Sequence, residues 1–132
     1  MKINDFTEVE QLLLIRIIAI KIEQNDTPGQ TKLLLKELSQ FLKSDVYFVV
    51  QLTALFLENI LSSYGQAGSD AVNEMVQEMG INGKVLEDMR ELPFEDLLTT
   101  VLRLTQSIAT PKELITAPFA VEIYLDEKMK GL

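Results

Sequence analysis

The chain has 132 residues, of which 47% are apolar, enough to bury a core in one domain without disulfide or metal staples. It contains neither Cys nor His, which excludes a disulfide framework, a thiol nucleophile, a zinc-thiolate site, a His general base and a His metal or haem ligand. Twelve basic residues stand against 20 acidic ones, a formal charge of −8, so phosphate-rich partners are repelled, and the acidity serves either solubility or a basic protein partner.

The opening MKINDFTEVEQ lacks the positive region and small-residue cleavage site of a signal peptide, and cytoplasmic residence is expected. Thr7 and Glu10 have capping-box spacing ahead of the run LLLIRIIAI, predicting a helix from about Glu8 to Gln24. Its polar residues are scattered around the wheel, which predicts burial on more than one side. Arg16 therefore lies in apolar surroundings, where it should snorkel or pair with a carboxylate. Thr27-Pro28-Gly29-Gln30 combines a cap, a first-position proline and a box glutamine, starting a second helix that extends to about Leu42. Leu34, Leu35, Leu38, Phe41 and Leu42 form its inner stripe; Lys32, Lys36, Glu37 and Lys43 are expected to face water.

Residues 45–64, from Asp45 to Tyr64, are the most apolar run long enough for a full helix. Val46, Val49, Val50, Thr53, Phe56, Leu57, Ile60 and Leu61 cover one face, and only a thin polar seam of Gln51, Glu58 and Ser62 remains. This predicts a mostly buried central helix, started by Ser44 and ended by Gly65. Gln51, Glu58 and Asn59 interrupt it too often for a membrane span. A helix-turn-helix is excluded, because the would-be recognition helix is this apolar segment and offers no basic or amide row to base edges.

Beyond a flexible link at residues 66–68, short helices are expected from Ser69 to Gly80 and from Lys84 to about Leu92. Their inner sides would carry Val72, Met75, Val76 and Met79, and then Val85, Leu86 and Met89. The methionines fit core filling, and if exposed would line an adaptable groove. Pro93 begins a helix to about Ile108 with Phe94, Leu97, Leu98, Val101, Leu102 and Leu104 on its apolar side. Thr110-Pro111-Lys112-Glu113 repeats the cap, proline and box-glutamate pattern, and Pro118 is expected to restart the chain for a last helix ending near Gly131. Phe119, Ile123, Tyr124 and Leu125 would dock that helix, although residues 120–125 also have strand character.

The fold class expected is all-α: a single-domain bundle of six or seven helices around the helix of residues 45–64. No Gly-rich phosphate loop occurs, and six serines have no His to activate them, so an enzyme and a cofactor are not expected. Asp70, Glu74 and Glu78 share one helical face at i, i+4, i+8 spacing, with Glu87, Asp88 and Glu91 following on the next helix. A Ca²⁺ site needs six to eight oxygens on a looped backbone, which this pattern does not supply, so no metal is assigned. These six residues are the candidate partner-binding surface, because residues 44–83 contain no Lys or Arg. A self-associating assembly factor, such as a phage morphogenesis component, is the alternative.

Asp5-Phe6-Thr7-Glu8-Val9-Glu10 and the apolar run after it resemble the opening of the first helix in the small acidic immunity proteins that neutralise nuclease bacteriocins. The likeness covers that helix start alone. The family's Ser-Asp and paired-tyrosine binding motif has no counterpart here beyond a distant echo at Ser44-Asp45-Val46-Tyr47. What the resemblance implies is an inhibitor of a basic protein.

Overall fold

The computed structural model describes residues 2–24, 28–62 and 93–130, and among these the fold is all-α with no strand. Five helices are formed: α1 (Glu8–Gln24), α2 (Pro28–Ser39), α3 (Tyr47–Ser62), α4 (Phe94–Ile108) and α5 (Pro111–Met129). The link at Asn25-Asp26, the Thr27 cap, the Gly65 stop, the segment 66–68, both short helices and Met75, Met79 and Met89 lie outside the described residues.

Local chemistry explains the helix starts. Thr7 Oγ1 accepts from the Glu10 amide at 3.1 Å while Glu10 Oε1 accepts from the Thr7 amide at 2.9 Å, so two donors without helical acceptors are satisfied reciprocally. Thr110 and Glu113 repeat the arrangement at α5, both bonds at 3.2 Å. Pro28 and Pro111 take the first helical positions, where a missing N–H costs nothing. After α2 the chain tightens into a 3-10 turn, Gln40–Lys43, which carries Phe41 and Leu42 into the core.

A relay of hydrogen bonds fixes the entry to α3. Ser44 Oγ accepts from the Val46 amide at 3.0 Å and donates to Gln11 Oε1, and Gln11 Nε2 donates to the Phe6 carbonyl at 3.0 Å. Gln11 is only 2% exposed, so both ends of its amide need these partners. Asn4 strengthens the same junction by accepting from the Asp45 amide at 2.9 Å.

Helix α1 packs against α2, α3, α4 and α5, and α3 packs against α1, α2 and α4. The scattered polarity of α1 is thereby explained: it has neighbours on several sides. Leu12, Leu14, Ile15, Ile18, Leu38, Phe41, Val49, Phe56, Leu97, Val101 and Val121 belong to one cluster fed by all five helices. Each such side chain contributes about 1.5–3 kcal/mol on burial. Phe56 of α3 meets Phe94 of α4 edge to face, ring centres 5.8 Å apart. Inward-facing Thr53 and Thr105 satisfy their hydroxyls on their own helices, donating to the Val49 and Val101 carbonyls at 2.7 and 2.8 Å. Arg16 finds a carbonyl, its Nε donating to Leu98 O at 3.2 Å, and no carboxylate is paired with it among the described residues.

Three expectations are corrected. Pro118 does not restart the chain, because α5 runs through it unbroken from Pro111 to Met129, and residues 120–125 are helix. Pro118 is exposed, so the Leu114 carbonyl, deprived of an amide four residues on, lies on the side of α5 away from the core. Ala117, Val121 and Leu125, an i, i+4, i+8 row, dock α5; Phe119 and Ile123 stand on the opposite face and are 65% and 63% exposed. Glu37 does not face water. It follows Leu34 by three residues and precedes Phe41 by four, which turns it toward the core side of α2, and it is 6% exposed. Among the described residues no helix is long and apolar enough to cross a membrane.

Candidate functional site

The six acidic residues singled out from spacing, Asp70, Glu74, Glu78, Glu87, Asp88 and Glu91, lie outside the described residues. Among the described residues no group of three or more carboxylates is placed to hold a metal ion.

The described surface has a polar focus where α5 meets the start of α1 and the last turn of α2. Tyr124 Oη donates to Glu37 Oε2 at 2.9 Å, and Lys128 Nζ lies 4.0 Å from Glu37 Oε1 and 5.6 Å from the centre of the Tyr124 ring. Phe6 packs against the same ring edge to face, with centres 5.0 Å apart. Burial, and then the hydrogen bond and negative charge of Glu37, push the Tyr124 hydroxyl far above its ordinary value, because each disfavours a phenolate. Tyr124 is thus a proton-holding donor at neutral pH and not a base.

Beside this network an open groove of about 460 Å³ is lined by Phe6, Glu10, Ala120, Ile123, Tyr124, Glu127 and Lys128. One carboxylate oxygen of Glu10 is engaged in its capping bond, whereas Glu127 is exposed at the rim. Next to the groove, Ile115, Phe119 and Ile123 form a row one helical turn apart along the outer face of α5, 68%, 65% and 63% exposed. Contiguous exposed apolar side chains of this size mark interaction surfaces more often than isolated ones do. The arrangement thus joins a proton-holding tyrosine, a buried carboxylate held by one hydrogen bond and one ion pair, and an exposed apolar row.

Sequence reasoning assigned Phe119 and Ile123 to the core and missed Glu37 and Lys128. The i+4 row Ala117, Val121, Leu125 was available as the alternative docking face. Its small and β-branched members gave a weaker signal than Phe119 and Ile123, the larger side chains.

Comparison with known proteins finds no matching family model, no matching curated protein and no matching solved structure. The resemblance of residues 5–10 to immunity proteins stands on those residues alone.

Proposed function

We propose that this chain is a non-enzymatic acidic protein-binding module, an inhibitor, immunity protein or adaptor that captures a basic protein partner in the cytoplasm. The observation carrying the reading is the charge distribution: −8 overall, with Asp45, Glu58, Asp70, Glu74 and Glu78 and no Lys or Arg across residues 44–83. Such a surface raises association rates with cationic partners and repels nucleic acid. In this reading Asp70, Glu74, Glu78, Glu87, Asp88 and Glu91 meet the partner directly. The same reading keeps a bundle of six or seven helices with α3 mostly enclosed.

The test compares the wild-type chain with E74K/E78K as baits for host lysate at low and high salt. A basic protein retained by the wild type at low salt, and lost both at high salt and from the double variant, supports the proposal. Equal retention by the two baits overturns it.

A second reading, a self-associating assembly factor, is favoured by one specific observation. The row Ile115, Phe119, Ile123 on α5 is apolar, contiguous and exposed.

A further inference from the structure

We infer that α5 is a two-fold homodimerisation helix, pairing antiparallel with α5 of a second copy about Phe119. The inference rests on the self-association reading and gives it a surface and a register.

The argument starts from the outer face of α5. At 100° per residue, Lys112, Ile115, Phe119, Ile123 and Asp126 fall within an arc of about 80°, opposite the docking row Ala117, Val121 and Leu125. All five are exposed. Their spacing is a palindrome: Ile115 and Ile123 lie one turn either side of Phe119, and Lys112 and Asp126 lie two turns either side. An isologous interface demands this property, because each residue meets its mirror position on the partner. Crossing at Phe119 sets that ring on the partner's Phe119, Ile115 against the partner's Ile123, and Lys112 toward the partner's Asp126.

Charge identifies the occupant as a second copy. Lys112 and Asp126 are opposite in sign and sit at mirror positions, so a two-fold axis creates two complementary pairs. Glu122, at the edge of the arc, falls opposite the partner's Thr116, so no like charges are brought together. The five-residue face is neutral within a chain of net charge −8, which lets two copies approach here against their overall repulsion. A basic partner would be poorly served by the same face, whose only carboxylate is balanced by Lys112.

Sedimentation equilibrium on the full chain tests this with a charge swap. Wild type is expected to be dimeric at tens of micromolar, and F119D monomeric. K112D and D126K should each weaken dimerisation roughly tenfold by replacing two rim attractions with repulsions. The double variant K112D/D126K restores opposite charges across the axis and should return to within about twofold of wild type. All three substituted sites are on the exposed face, and circular dichroism melts check that the variants remain folded. A monomeric wild type overturns both self-association and this surface. A dimer unaffected by F119D, or a double variant no better than the singles, overturns this surface and register while leaving self-association standing.

Discussion

Tyr124 and Glu37 are 87 positions apart in the chain and joined at 2.9 Å, a phenol donating to a carboxylate that is almost wholly withdrawn from water. The bond ties α5 to α2, and Lys128, one turn beyond Tyr124, stands near the other oxygen of Glu37. Removing the hydroxyl leaves a buried carboxylate with a single long-range partner. Y124F is therefore expected to destabilise the fold by about 1–3 kcal/mol, the cost of unpairing a buried charged acceptor. Urea denaturation with an unchanged slope measures it. The pair Y124F/E37L, which removes donor and acceptor together, should cost less than the sum of its single changes.

The same bond has a pH signature. In the folded chain the Tyr124 hydroxyl titrates well above its ordinary value near 10. From about pH 10 upward, an unfolded chain loses the phenolic proton while the folded chain keeps it. The unfolded state then binds fewer protons, and stability falls as pH rises. The stability gap between wild type and Y124F should be constant below about pH 9 and shrink above pH 10. A gap that stays level across that interval would contradict the assignment.

At the junction of α1 and α3, Gln11 bridges the Phe6 carbonyl and the Ser44 hydroxyl. Q11A strips both partners and opens space in a buried site, for an expected loss of about 2–3 kcal/mol. S44A, which frees the Val46 amide and one end of Gln11, should cost about 1–2 kcal/mol. Because the two residues share one network, their double variant should be less destabilised than additivity requires. Thermal or urea melts decide both points.

Pro118 is an interior helix proline, an arrangement that removes one backbone bond and crowds the preceding turn. P118A restores a donor to the Leu114 carbonyl and is expected to stabilise the chain by roughly 1 kcal/mol, net of the extra freedom of the unfolded alanine chain. A loss of stability instead would mean that the proline itself contributes to how α5 seats on α1.

Helix starts were the most legible part of the fold, because they are written in short-range chemistry. Thr7 with Glu10 and Thr110 with Glu113 form the reciprocal bonds their spacing implies, and α1 spans Glu8–Gln24 as its cap and apolar run predict. Orientation of faces was less legible. Helix α5 carries apolar residues nearly all round, so periodicity alone does not choose between the face of Phe119 and the face of Val121; contact with α1 does. Glu37 illustrates the same limit, since a charge at the edge of an apolar stripe is turned inward only when a distant tyrosine is there to receive it. The exposed row on α5 was hidden for that reason too: its residues look like core until the helix is placed.

The seam between α1 and α4 has an uneven tolerance to change. Arg16 reaches a main-chain oxygen, that of Leu98, so the acceptor persists whatever side chain occupies position 98. Exchanges among Leu, Ile and Met at 98 should leave the bond in place, whereas position 16 has to keep a long side chain with a donor at its tip. In a saturation scan, position 16 would stand out as a sharp constraint beside a permissive neighbour across the seam. A charged residue in a hydrophobic helix would thus be retained for its grip on the backbone of another helix, independently of any partner or ligand.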